Sequence, residues 1–287
     1  MRKGSFSRIM LCLFIISALS AGCGSERQVE NRKNVLVNKT GNNSVDAASQ
    51  GNAKKNGTTH AGDKKNSAGS EIKAKSLLAG RTICIDPGHQ LKGNSGQEPI
   101  APGSNIMKDK TTSGTSGVVT KIPEYELNLH ISLLIKKKLE EHGARVIMTR
   151  ETNNVNISNI NRAKMANKSN AGLAVRIHAD GAADSKIRGA SVLYPGGKYI
   201  KDGDMLKKSK IAAKKVTESI RKNSAAVSVK SVERNDLTGF NWSEVPVILV
   251  EVGFMSNPAE DRLMKTKKYR ENMAEAVVLG IVEYFKS

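Results

Sequence analysis

The chain has 287 residues, with 46 Lys+Arg against 27 Asp+Glu for a formal charge of +19, 38% hydrophobic residues and 4% aromatics. That length suits one large catalytic domain with a tail, or two small domains. The composition excludes a multi-span membrane protein, since repeated runs of about 20 apolar residues are missing, and three cysteines exclude a disulfide-stapled mini-domain.

The chain starts Met1-Arg2-Lys3, with Arg8 close behind, and then runs apolar from Ile9 to Ala21. A basic segment before an apolar stretch too short to span a bilayer reads as a secretory signal. Its end, Leu19-Ser20-Ala21-Gly22-Cys23, resembles the lipobox of bacterial lipoproteins, with Ser20 where an aliphatic residue is usual. The resemblance implies that residues 1–23 are a signal peptide and that Cys23 is acylated as the mature N-terminus. The expected location is then the cell membrane facing the wall, or outside the cell if Cys23 stays unmodified. Residues 24–78 are rich in Asn, Lys, Gly, Ser and Thr and carry no aromatic residue. Such a stretch buries too little apolar surface to offset chain entropy and is expected to be a disordered, basic linker. No helix-turn-helix, zinc-finger or aromatic-interleaved RNA motif accompanies the positive charge, so nucleic acid is not an expected partner. An anionic cell envelope is, and membrane contact is expected through a lipid anchor alone.

From residue 79 to residue 287 short apolar runs alternate with amphipathic stretches, which predicts one α/β domain with an open, twisted, mostly parallel sheet flanked by helices. Predicted strands are Thr82–Asp86, Arg145–Thr149, Leu173–His178, Ala190–Tyr194 and Val247–Glu251; predicted helices are Tyr125–His142, Asn156–Lys168, Gly203–Arg221 and Tyr269–Phe285. In the first helix Leu127, Ile131, Leu134, Ile135 and Leu139 keep helical spacing, Thr120 is the expected cap, Pro123 fits a first turn and Gly143 is placed to end it. Residues 90–123, full of Gly, Ser, Thr and Pro, form a loop long enough to be functional or disordered.

Three apolar runs end in a residue able to bind metal or move protons: Ile83–Asp86 leads into Pro87-Gly88-His89, Leu173–Ile177 ends at His178, and Val247–Val250 ends at Glu251. Ligands of open α/β sheets bind beyond the carboxyl ends of strands. If the three strands are parallel neighbours, these side chains converge on one crevice. Glu124 opens the helix after the long loop and is a fourth candidate. Two histidines and a carboxylate make a catalytic zinc set with one position left for water, and a second carboxylate serves as general base. Spacing alone leaves open which of Glu124 and Glu251 is the ligand.

Arg81–His89 (RTICIDPGH), Glu124–Leu129 (EYELNL), Ala174–Asp180 (AVRIHAD) and Pro246–Pro258 (PVILVEVGFMSNP) resemble, in order and spacing, the motifs of zinc-dependent N-acetylmuramoyl-L-alanine amidases. The resemblance covers residues 81–285. It implies zinc (Zn2+) bound by His89, Glu124 and His178, with Glu251 as general base and acid. It also implies cleavage of the amide joining N-acetylmuramic acid to L-alanine in peptidoglycan, on a mixed sheet flanked by helices. Gln90 and Leu91 replace two glycines common in relatives, Arg176 a common serine and Asp180 a common asparagine; these changes bear on the crevice walls. A zinc peptidase cutting within the stem peptide, or a wall-binding protein without activity, are the alternatives.

The remaining histidines have structural readings: His60 in the linker, His130 and His142 on the long helix. Glu126 competes with Glu124 for the ligand position, but two residues along a helix turn it to another face. Cys12 leaves with the signal peptide, and Cys84 packs in its strand as a small apolar residue. Trp242 is either core or part of the substrate groove. The Lys-rich helix over 206–221 is a solvated face with Ile211, Val216 and Ile220 inward.

Overall fold

The structure, a computed structural model, describes residues 77–287. The signal segment, Cys23 and the linker up to residue 76 lie outside the described residues. Eight strands follow in chain order: β1 (Thr82–Pro87), β2 (Asn94–Pro99), β3 (Met107–Thr111), β4 (Arg145–Met148), β5 (Leu173–Asp180), β6 (Ala190–Pro195), β7 (Val229–Arg234) and β8 (Val247–Phe254). Six helices interleave: α1 (Glu124–Glu141), α2 (Asn159–Lys168), α3 (Gly203–Asn223), α4 (Thr238–Asn241), α5 (Pro258–Lys265) and α6 (Lys267–Phe285).

Six strands form one sheet in the order β4-β1-β5-β8-β6-β7. All neighbours are parallel except β6 and β8, which are antiparallel. The sheet is thus mixed and mostly parallel, as expected. β1, β5 and β8 are parallel neighbours, the condition for the three strand ends to converge.

Side chains alternate between the two faces of a strand. Ile83, Ile85, Val175, Ile177, Ile248 and Val250 point to one face, where α1, α3 and α6 cover them with Leu127, Ile131, Ile135, Val216, Ile220, Met273, Val277 and Ile281 in the main core. Leu78, at the end of the expected linker, packs into the same core. The opposite face carries Cys84, Ala174, Val247, Leu249 and Leu193 against Phe240 and Ala166. Continuing the alternation, Asp86, Arg176, His178 and Glu251 fall on this second face, which only the short α2 and α4 and the β2–β3 hairpin cover. Burial of apolar side chains thus assigns the polar residues at the strand ends to a common side.

Helix boundaries follow local chemistry. Gly143 adopts φ +85 and the α1 helix ends before it, as its sequence position predicts. Thr120 does not cap α1: Pro123 occupies that position without a side-chain cap, and the Thr120 hydroxyl instead donates to Asp261. Side-chain caps occur at Ser158 (α2), Asp202 (α3), Asn257 (α5) and Thr266 (α6). The long 90–123 segment is ordered as the antiparallel β2–β3 hairpin followed by a closed loop.

Candidate metal centre

β1 runs directly into Pro87-Gly88-His89, and His89 sits at φ +61, in the left-handed region. A non-glycine residue held there costs on the order of 1 kcal/mol, so its surroundings must over-determine it. Two buried arginines do so. Arg150 donates to the carbonyls of Pro87 and Gly88, both at 2.9 Å, and Arg162 donates to those of Pro87 (2.8 Å) and His89 (3.0 Å). Asp86 anchors the cluster, accepting from Arg162 (2.7 Å), Arg176 (2.8 Å) and the Thr149 hydroxyl. The His89 ring is fixed from its outer side: Nδ1 faces the Thr112 carbonyl at 3.1 Å and its hydroxyl at 2.9 Å. The Thr112 carbonyl only accepts, so a proton on Nδ1 suits that contact, and Nε2 turns inward toward Glu124 Oε1.

His178 comes from β5 and lies edge to face with His89, ring centroids 4.8 Å apart. Its ring lies against Gly88, where a Cβ would stand 2.2 Å from Cε1 and Nε2. Glu124, the first residue of α1, completes the group. Its Oε1 stands 3.2 Å from His89 Nε2 and 3.2 Å from His178 Nδ1, and accepts from Asn128 (3.1 Å) and the Ala179 amide (3.2 Å); Oε2 accepts from the Thr115 amide. The three prospective ligand atoms lie within 4.8 Å of one another.

This donor set fits a divalent cation. Two imidazoles and one carboxylate converge in a buried site, and among the described residues the ion pairs of that carboxylate are with the two histidines. Burial pulls the pKa of His178 down to about 4, against the Glu124 bond that works the other way. Burial also opposes the charge of Glu124, but the bonds from His178 and His89 outweigh it and hold the carboxyl well below its usual range. A neutral imidazole beside an ionised carboxylate is the protonation state that a metal requires of its ligands.

Glu251, on β8, pairs in register with His178 on β5 and with Ser191 on β6. The residue lines the cleft while its Oε2 is buried without a hydrogen-bond partner. Burial first, then the neighbouring Asp180 and Glu124 carboxylates, push its pKa well above the ordinary carboxylate range. Two clefts meet here. One, of about 350 Å³, runs from His89, His178 and Glu251 past Leu249, Leu193 and Arg176 to Lys108, Arg234 and Asp236. The other, of about 470 Å³, is bounded by Gly114, Thr115, Gly181, Ala182 and Ser256.

The structure therefore brings His89, Glu124, His178 and Glu251 into one place. It keeps Glu126 out: that residue is half-buried one face away, while Glu124 is buried. His130 is exposed on α1 and His142 follows its end. Cys84 is buried, its thiol pushed up to about 12 by burial and by Asp86. Trp242 belongs to the framework: its indole N–H donates to the Pro99 carbonyl at 2.9 Å, tying down the hairpin. Gln90 is buried and structural, its Oε1 accepting from the Ile157 amide and Arg162. The sequence reading missed Asp86, Thr112, Asn128 and Asp261. Asn128 lies one turn after Glu124 on the same helix face, a spacing that could have flagged it; Thr112 and Asp261 come from distant segments, and Asp86, three residues before His89, acts through distant arginines.

Comparison with known proteins places the chain in a family. A family model described as N-acetylmuramoyl-L-alanine amidase matches residues 83–283. An N-acetylmuramoyl-L-alanine amidase of Mycobacterium tuberculosis is 31% identical over 212 residues, covering 72% of this chain and 87% of that protein. A germination-specific N-acetylmuramoyl-L-alanine amidase of Bacillus subtilis is 27% identical, covering 72% and 81%. The crystal structure of the N-acetylmuramyl-L-alanine amidase Ami1 from Mycobacterium smegmatis superposes with a TM-score of 0.66 at 29% identity, covering 73% of this chain and 98% of that one.

Proposed function

The chain belongs to the N-acetylmuramoyl-L-alanine amidase family and is an amidase acting on peptidoglycan, and from that premise we propose that His89, Glu124 and His178 hold zinc while Glu251 moves the proton. The single observation that carries the proposal is the convergence of those three ligand atoms within 4.8 Å beside a buried, partnerless Glu251 oxygen. Zinc bound there would polarise the scissile carbonyl and acidify a water, making a nucleophile available near neutral pH.

The residues of the chain supply the rest. The Glu251 carboxyl has a raised proton affinity, which suits it to take the proton of the attacking water. It then delivers that proton to the amide nitrogen as the C–N bond breaks, leaving a lactyl carboxylate on the sugar and a free amine on alanine. A positioned group of this kind contributes about 10²–10⁴ in rate. Asn128 and the Ala179 amide orient Glu124, and Thr112 fixes the tautomer of His89, both from outside the ligand set.

Export places this chemistry at the wall. Residues 1–23 act as a signal peptide, Cys23 takes the lipid anchor, and the basic 24–78 linker lets the catalytic domain reach anionic envelope and wall from the membrane. Among the described residues no helix is long and apolar enough to cross a membrane.

The test is mass spectrometry of muropeptides from purified wall digested by the full chain with and without a chelator, alongside Glu251→Gln. Released peptides with a free alanine amine and glycan with a free lactyl carboxyl are expected, lost with chelator and reduced at least about 100-fold in the variant. Peptide–peptide cuts would refute the amidase reading, and chelator-resistant digestion the zinc assignment.

A further inference from the structure

The two clefts that meet at the metal centre differ in character. The first is lined by charged groups of both signs, Asp109 and Asp236 among them. Asp180 and Glu251 stand at the metal end; Lys108 and Arg234 stand at the other. The second is lined by small uncharged residues, Gly114, Thr115, Gly181, Ala182 and Ser256, alongside Asp180 and the metal-centre groups. The substrate of an amidase also has two unlike arms across its scissile bond, a neutral sugar strand and a peptide that carries charge.

We propose that the charged cleft receives the peptide arm and reads a free carboxylate on the residue after alanine through Arg234 and Lys108, the small-residue cleft taking the sugar. The inference rests on the amidase reading above and adds the substrate class to it.

Charge and distance both support the assignment. Arg234 donates through Nε (2.7 Å) and Nη2 (2.8 Å) to the two oxygens of Asp236. Lys108 donates to the Asp236 carbonyl at 2.6 Å and stands 3.9 Å from its Oδ2. One carboxylate, that of Asp236, thus faces two cations at that rim. Of the other acids in the cleft, Asp109 accepts from Gln97, and Asp180 lies at the metal end, accepting from the Gly181 amide. Arg176 is already balanced by Asp86.

Ser191 pairs with Glu251, and Pro195 pairs with Arg234. Arg234 is therefore two strands across and four residues along from Glu251, a Cα separation of roughly 16 Å at ~4.8 Å per strand and ~3.3 Å per residue. Both side chains point into the cleft and together span about half of that. The gap between their heads then matches the length of an extended dipeptide, roughly 7 Å from its amine to the carboxylate of its second residue. Between them Leu193 and Leu249, nearly buried, make an apolar floor for a methyl side chain. The product's new ammonium would then lie near Asp180 and its carboxylate at Arg234.

The experiment uses the zinc-loaded full chain and two synthetic substrates, N-acetylmuramoyl dipeptides identical except that the second residue carries a free carboxylate or its amide. The acid is expected to be cut with a kcat/KM about tenfold or more above the amide, the charge-assisted bond to Arg234 being formed in the bound substrate and thus expressed in KM. Arg234→Gln should bring that ratio close to one, and Lys108→Gln should lower it part of the way. Equal cleavage of acid and amide by the unaltered enzyme, or an unchanged ratio in Arg234→Gln, overturns the assignment while leaving the amidase reading in place. Cleavage of neither substrate overturns the amidase reading and this inference with it.

Discussion

Asp261 lies on α5, outside both clefts, yet the structure makes it a positioning residue for Glu124. It is 2% exposed. Its Oδ2 accepts from the amides of Val119 (2.7 Å) and Thr120 (2.8 Å), and its Oδ1 from the Thr120 hydroxyl. Gly117 passes so close that a Cβ there would stand 2.1 Å from Oδ1. These contacts pin the tip of a closed loop whose mouth is the Ser116–Pro123 bridge and the Glu124 amide on the Thr115 carbonyl (2.9 Å). Loosening the tip frees the mouth, and the mouth aims Glu124. In Asp261→Asn the amide oxygen can still accept from both backbone N–H groups, so the loss is the charge assistance of those bonds, about 1–2 kcal/mol of folding stability. Outer contacts that orient a ligand typically cost 10–100-fold in metal affinity when removed, and about tenfold weaker zinc binding is expected. Glu260→Gln is the control. Glu260 is also buried on the same helix but accepts from Gly189 and Phe254, away from the Glu124 loop. Competition of each variant against a chromophoric chelator, with denaturant unfolding in parallel, separates positioning from bulk stability. Unchanged affinity in Asp261→Asn, or an equal loss in Glu260→Gln, would refute the reasoning.

Gly88→Ala should lose zinc affinity on the order of 100-fold, because its Cβ would meet the His178 ring at 2.2 Å and displace it; circular dichroism showing a retained fold with undiminished metal uptake would contradict this. Cys84, with its thiol pushed up to about 12, should resist thiol reagents at pH 8 in the folded chain carrying Cys12→Ser and Cys23→Ser, and react in denaturant; prompt native reactivity would mean that the strand opens. Burial works to raise the pKa of Asp86, but the charges of Arg162 and Arg176 and the Thr149 hydroxyl prevail and hold it well below the carboxylate range. A folded-state pKa below the unfolded one gives stability that is present above about pH 4 and is lost as the pH falls further. The unfolding midpoints of the natural chain and of Asp86→Asn should therefore converge below about pH 4, and a constant gap would count against an ionised Asp86.

The strands that the sequence revealed are those with apolar runs, fully buried in β1, β5 and β8 and half-buried in the edge strand β4. Thr82, Arg145, Leu173, Ala190 and Val247 begin strands in the structure as they do in the apolar runs. The runs stop short where function begins: β5 continues past His178 to Asp180 and β8 past Glu251 to Phe254, because backbone pairing persists after the side chains turn polar. β7 was not foreseen. It is an edge strand with Lys230, Ser231, Val232 and Glu233 exposed, so no apolar alternation marks it. The β2–β3 hairpin escaped for the same reason; it is held from outside, by Trp242 on the Pro99 carbonyl and Asn241 on that of Ile100. Thr120 misled because a hydroxyl shortly before a helical stretch looks like a cap, whereas tertiary contact with Asp261 claims it.

The site divides along a different line. Strand ends and a helix start announced His89, His178, Glu251 and Glu124, since each follows an apolar run or opens one. The groups that hold them could not be announced that way: Arg150, Arg162 and Asp261 act over 62 to 142 residues of sequence. Two buried carboxylates stand behind β1 and β5, and composition alone treats them alike. Asp86 has two arginines for partners, Glu124 two histidines. Guanidinium keeps its proton at any working pH, so Asp86 is neutralised permanently and its cluster is a structural joint. Imidazole can give its proton up, and burial favours that for His178, so the charge on Glu124 is left for a cation to balance. The difference between a joint and a metal site lies in whether the partners of the buried carboxylate can become neutral ligands, a property that only their assembly in three dimensions makes visible.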